Sequence, residues 1–340
     1  MRRYAHPMRR QDVPHALTPF LQQPGHLVLD GALATELERR GADLHDPLWS
    51  ARVLLEQPEL IRQVHLDYFH AGADVATTAT YQATFEGLAA RGLSHDEAAA
   101  RMRLAVQLAC EARDSFWQAW GAPEGAAHWR GRHRPLVAAS IGPYGAMRAD
   151  GSEYRGGYGL SRQALKDFHR PRLTLLARSG ADLLACETLP SLEEALALAE
   201  LLHELRQAPD LADLGAWISF SCQDGAHTCE GQRLADCAAA LEGFAGVLAL
   251  GVNCTAPQHV AALLDSARPF TSKPLLAYPN AGERYDPVAK VWQPDPACAH
   301  RPLAEMAMDW ERAGACLIGG CCRTTPQDIS ALLARWTAQA

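Results

Sequence analysis

The sequence predicts a single (β/α)8 barrel of the TIM type, and three observations carry that expectation. Short apolar runs rich in Val, Ile, Leu and Ala recur eight times, each followed by a small or polar cluster and then a longer helical stretch. The runs are continuously apolar rather than alternating, as strands buried on both faces of a parallel sheet require. No shift in composition divides the chain, and 340 residues suffice for one large α/β domain. A doubly wound sheet is the alternative, but no GxGxxG follows the first apolar run.

Residues 1–25, rich in Arg and Pro and without the apolar core of a secretory signal, read as a poorly ordered extension. The barrel then occupies 26–340. Its first strand is expected in HLVLDGA, ending near Asp30, and the second in ADVATTATY. The third to fifth follow in PLVAASIGPYG, ADLLACETLP and AWISFSC. GVLALGVNC, PLLAYPNAG and ACLIGGCC supply the last three. The helices between them carry start signals. Ser94 with Glu97, and Ser191 with Glu194, have the spacing of capping boxes. Thr325 precedes Pro326 and Asp328 as an N-cap would.

Hydrophobic residues make up 48% of the chain and charged residues 21%, the balance of a soluble globular protein. Net charge is −7 with both signs mixed along the sequence, unlike the concentrated basic face that nucleic acid selects. No stretch approaches the roughly 20 apolar residues that span a bilayer. The expected partners are therefore small-molecule substrates, with neither nucleic acid nor membrane. Oligomeric state has no signature in the sequence. Ten cysteines without a signal peptide read as reduced thiols of a cytoplasmic enzyme rather than a disulfide framework.

Barrel chemistry gathers where strands end and βα loops begin. Asp30, Thr78, Thr80, Glu187, Asn253, Cys254, Tyr278, Asn280, Cys321 and Cys322 all fall there. Cys254 closes the sixth strand and the Cys321–Cys322 pair the eighth, roughly 10 Å apart by strand spacing and able to converge. Three thiolates suit Zn²⁺ in a catalytic site with its fourth position open. Such a centre is a poor activator of water but a good holder of a substrate thiol. Other readings stay open: small core cysteines, a vicinal disulfide, or a phosphate loop at Gly319–Gly320. A structural zinc site would show CxxC pairs, and none occurs.

DGALATELERRG, GVNC and GGCCRTTP together resemble the homocysteine S-methyltransferase family. That family also includes betaine–homocysteine methyltransferase and the homocysteine module of cobalamin-dependent methionine synthase. The similarity runs from about His26 onward. It is closest to the bacterial branch that uses S-methylmethionine or S-adenosylmethionine, through DPLWSARVLLEQPELIRQVHLDY, SIGPYGAMRADGSEYRGGY, DLLACETLP and YPNAGERYDPVAKVW.

The resemblance implies a barrel, one zinc ion, and methyl transfer to homocysteine to form methionine. It makes Cys254, Cys321 and Cys322 the zinc ligands, and Asp30 and Glu187 the holders of the homocysteine amino group. The Gly31 and Ala32 amides suit the substrate carboxylate; Thr78, Ser140 and Asn253 line the rim. Trp49 matches a position where an aromatic faces the donor cation, and Tyr81 can share that role. The plainer alternatives are a helix N-cap for Asp30, a surface charge for Glu187 and loop packing for Trp49. TYQATFEGL thins the aromatic run of the betaine enzyme, which favours a sulfonium donor. No general base is needed, because a metal-held thiol has already lost its proton. Betaine or selenol specificity, a zinc-free phosphate-binding barrel and a non-catalytic metal-binding protein are the rival readings.

Overall fold

Every one of the eight apolar runs forms a parallel strand. The computed structural model describes residues 15–22, 26–42, 50–286, 291–294, 298 and 301–337. The barrel strands are β1 (Leu27–Val28), β2 (Val75–Thr77), β3 (Leu136–Ile141), β4 (Leu183–Leu189), β5 (Ala216–Phe220), β6 (Val247–Asn253), β7 (Leu275–Tyr278) and β8 (Ala315–Ile318). They pair in the order β1-β8-β7-β6-β5-β4-β3-β2. The two end strands also meet. Leu29 bridges Val75, the Asp74 amide donates to Val28 O at 2.7 Å, and the Asp30 amide donates to Val75 O at 3.1 Å. The sheet thus closes on itself and leaves no unpaired barrel edge.

Strand period does the rest. Leu27, Leu29, Val75, Ala138, Leu183, Ala185, Trp217, Ala249, Leu276 and Leu317 share one buried cluster inside the barrel. Stepping two residues toward the carboxyl end keeps a side chain on the same face. From Ala138 that step reaches Ser140, from Ala185 Glu187, from Trp217 Ser219, and from Leu276 Tyr278. The interior is therefore apolar below and polar at the carboxyl rim. The other strand face packs with the surrounding helices in a larger apolar cluster.

The helix His95–Ala119 opens with the expected reciprocal box: Ser94 Oγ accepts the Glu97 amide and Glu97 returns to the Ser94 amide. At Ser191 only half of the box forms. Ser191 Oγ accepts the Glu194 amide at 3.3 Å, but the Glu194 carboxylate turns inward, fully buried. Its Oε1 accepts from the Tyr144 amide at 2.6 Å and from His169 Nε2 at 2.9 Å. Arg172 donates to His169 Nδ1 at 3.1 Å and to Gly142 O at 2.6 Å. A buried carboxylate needs a cation and hydrogen bonds nearby more than a helix end needs a second cap. This chain of three side chains pins the loop after β3. Before the last helix, Pro326–Thr337, the Thr325 amide and hydroxyl both donate to Asp328 Oδ2 at 2.8 Å.

The expected loose extension is corrected over residues 15–22. Thr18–Leu21 forms a helical turn, and Leu17 is fully buried in the interior cluster, with Phe20 and Leu21 packed against it. An open barrel end exposes apolar side chains, and this turn covers them. Charges on Arg206 and Lys273, which flank the starts of β5 and β7, reach His15. The plug therefore sits at the amino end, opposite the rim. Residues 1–14 and 23–25 lie outside the described residues. Leu17→Ala is expected to cost about 2–4 kcal/mol, read as a lower midpoint in urea unfolding followed by Trp fluorescence.

Candidate active site

Two loops bring three cysteines together, and a third loop holds them there. Cys254 follows β6, Cys321 and Cys322 follow β8, and the loop after β7 lies between. The Cys254 amide donates to Tyr278 O at 3.3 Å, the Cys321 amide to Pro279 O at 2.8 Å, and the Ala281 amide to Cys322 O at 3.0 Å. The sulfurs of Cys254 and Cys322 stand 3.7 Å apart, those of Cys321 and Cys322 4.0 Å, and all three lie within 4.8 Å of one another. Sulfurs around one tetrahedral ion would sit about 3.8 Å apart, given Zn–S bonds of about 2.3 Å. A disulfide would need about 2 Å, and all three thiols are free. Hydrogen bonds from Cys321 and Cys322, joined by the Tyr154 hydroxyl, hold the Cys254 thiol well below the ordinary range. The residues present fit a soft metal ion.

The phosphate-loop reading of Gly319–Gly320 does not hold. The Gly319, Gly320 and Cys321 amides already donate to Ala277, Asp30 and Pro279 carbonyls at 3.1, 3.0 and 2.8 Å, so they form no anion cradle. The glycines serve a backbone approach instead: a Cβ on Gly319 would come within 2.6 Å of Leu29 Cβ and 2.7 Å of Asp30 O.

Asp30 and Glu187 are buried at the same rim. Asp30 Oδ2 accepts the Thr77 amide at 2.7 Å, and both carboxylate oxygens accept from Thr77 Oγ1. Glu187 accepts from the Ser140 hydroxyl on Oε1 and from Tyr278 OH at 3.0 Å on Oε2. Asp30 is not an N-cap, since Ala32 occupies that position before Leu33–Arg39. Glu187 is not a surface charge, being only 8% exposed. All of these hydrogen-bond partners are neutral. Burial pushes Asp30 up to about 8, with the nearby Glu187 charge adding to it, and burial pushes Glu187 up to about 7. An ammonium placed between them would restore both charges.

A bulge follows Glu187 in the strand. Pairing between β4 and β5 slips between Cys186 and Leu189, and Thr188 takes a φ of +62°. Asn253 holds the bulge. Its Oδ1 accepts the Thr188 amide at 2.7 Å and Ser219 Oγ at 2.8 Å, and its Nδ2 donates to Thr188 Oγ1 at 2.7 Å. Asn253 thus positions Glu187, with both ends of its amide committed to protein.

Thr78 is also a brace: its Oγ1 lies 2.7 Å from Thr80 Oγ1 and accepts the Ser140 amide at 3.1 Å. The Ala32 amide donates to Thr324 Oγ1 at 3.2 Å, and Gly31 is packed so tightly that a Cβ would meet Tyr68 and Thr324 at 2.9 Å. Tyr81 accepts the Gly142 amide on its carbonyl at 3.2 Å, and its phenol feels the charges of Cys254 and Glu187. Trp49 lies outside the described residues. Sequence reasoning placed Tyr278 at the rim without a role, and did not single out Thr77, Ser219 or Tyr154, which contact the carboxyls, Asn253 and Cys254. Strand parity alone could have found Ser219; nothing local marks Tyr154.

Residues 27–336 match the family model described as homocysteine S-methyltransferase. Homocysteine S-methyltransferase YbgG of Bacillus subtilis is 52% identical over 91% of this chain and 93% of its own length. Homocysteine S-methyltransferase of Escherichia coli is 50% identical over 94% of this chain and 98% of its own. The metallated crystal structure of the homocysteine methyltransferase MmuM from Escherichia coli superposes with a TM-score of 0.80 at 47% identity, covering 94% of this chain and 99% of that one. The chain belongs to the homocysteine S-methyltransferase family.

Proposed function

We infer that the chain moves a methyl group from a sulfonium donor to the thiol of homocysteine, with zinc held by Cys254, Cys321 and Cys322. S-methylmethionine is the first donor to consider and S-adenosylmethionine the second. The observation that carries this reading is a three-thiol cluster beside a buried carboxyl pair whose partners are all neutral. Glu187 feels the charge of Cys254, so the two features are neighbours, as the two ends of one short amino-acid thiol require. Thiolates favour zinc over hard divalent ions, and a set of three leaves one position for substrate. The ion, when bound, supplies the charge that keeps an added thiol deprotonated at neutral pH.

The protein's own groups then orient and desolvate. Asp30 and Glu187 hold the ammonium, and Thr77, Ser140 and Tyr278 fix the two carboxylates. The homocysteine sulfur bonds to the methyl carbon as the donor S–C bond breaks, and a neutral thioether leaves. Two opposite charges disappear, so exclusion of water favours the step. No proton moves during it. Tyr81, and Trp49 by its place in the sequence, are the aromatic candidates for the donor cation.

Methionine formation from homocysteine with S-methylmethionine, S-adenosylmethionine or betaine, with and without a chelator, tests this reading. Sulfonium donors should work, betaine should not, and chelation should abolish turnover; activity that survives complete zinc removal would end the zinc assignment. Cys322→Ser is expected to lower both zinc content and kcat, the latter by more than about 100-fold. The carboxyls give a pH signature. Their folded pKa values are raised above the unfolded ones, so their contribution to stability is full below about pH 4 and is lost as pH rises through 7–8. The melting temperature of the substrate-free protein should fall over that window. Asp30→Asn should flatten the fall while weakening homocysteine binding by about 100-fold, measured by calorimetry.

A further inference from the structure

Glu153 is a further buried carboxylate at the rim, outside the homocysteine clamp. It lies in the short turn Ser152–Tyr154 after β3, and Ser221, just past β5, donates to its carbonyl at 3.1 Å. In an eight-stranded barrel that is the side opposite Asp30. The residue is 7% exposed, and its Oε2 is sealed from solvent with no hydrogen-bond partner. Arg155, the nearby cation, is directed to Asp150, donating to its carbonyl at 3.2 Å with its side chain 60% exposed. The charges of Glu153 and Cys254 both reach the phenols of Tyr81 and Tyr154. One carboxylate, two aromatic side chains and a cysteine of the cluster therefore share one corner.

We propose that Glu153 is the anionic wall that receives the positively charged sulfur of the methyl donor. This rests on the sulfonium reading above. A donor sulfur must come close to the cysteine cluster, because the reacting atoms of a productive complex stand about 3–3.5 Å apart or little more. A sulfonium has no N–H to offer, so charge and ring faces recognise it rather than hydrogen bonds. The two carboxylates of the homocysteine clamp take hydroxyl and amide donors from other residues, whereas the Glu153 carboxyl has its own amide and its Oε2 has no partner. That difference separates a pocket for an ammonium from a wall for a sulfonium. The attraction ends with the reaction, since the departing thioether is neutral.

Glu153→Gln keeps the shape and removes the charge. It is expected to raise KM for the sulfonium donor about tenfold and to leave KM for homocysteine and zinc content unchanged. Inhibition by methionine, which carries the same ammonium but a neutral sulfur, should also stay unchanged. kcat should not fall, because the donor charge is already dispersing in the transition state. An unchanged donor KM, or an equal loss of homocysteine affinity, would overturn the proposal. If the Gln variant does not fold, Glu153→Asp, which retains the charge at shorter reach, should shift the donor KM alone and by less. A wild-type chain that makes no methionine from any sulfonium would instead overturn the underlying function.

Discussion

The rim is organised by the seam that closes the barrel. Asp30 stands on it: its amide bonds β2, its carboxylate takes the Thr77 amide, and its carbonyl takes the Gly320 amide from the end of β8. Three strand ends are thereby locked through one residue that also faces the site. Were the sheet open, β1 and β8 would form an edge pair, and neither the clamp nor the cysteine pair would have a fixed partner across the interior.

Stability and function pull apart at this rim. Burial disfavours charge on Asp30, Glu187 and Glu153, raising them to about 8, 7 and 7. A protein selected for stability alone would place neutral groups there. The conflict is eased by hydrogen bonds to Asp30 and Glu187 from hydroxyls and an amide, none of them cationic, so the pocket keeps its preference for an incoming cation. The cysteine cluster behaves in the same way: sulfurs held close together favour a shared positive ion.

Backbone strain follows the same map. Among the described non-glycine residues with positive φ, Thr188, Cys254 and Arg323 lie at the ends of β4, β6 and β8. Each costs conformational energy that packing elsewhere must offset. Thr188 is held by Asn253, Cys254 by the β7 loop, and Arg323 by the hydrogen bond its amide donates to Thr35 Oγ1 at 3.0 Å. Thr188 and Cys254 are strained beside the site, whereas Arg323 and Arg130 are exposed and Ala149 caps a short helix.

The eight strands, their order along the chain and the rim positions of Asp30, Glu187, Cys254, Cys321 and Cys322 were legible in the sequence, because burial on both faces and strand-to-helix alternation leave a local pattern. The capping box at Ser94 was legible for the same reason. What had no local signal was settled by contact across the chain. Glu194 has the spacing of a capping residue, and only the buried His169 and Arg172 draw it inward. Leu17 lies in a stretch that looks loose, and only the open barrel end makes it core. Asn253 reads as a rim residue, and only the Thr188 bulge makes it a brace. Local spacing determines which elements form and which side chains reach the rim; which of them touch substrate and which hold others in place depends on partners tens of residues away, brought near only when the sheet closes.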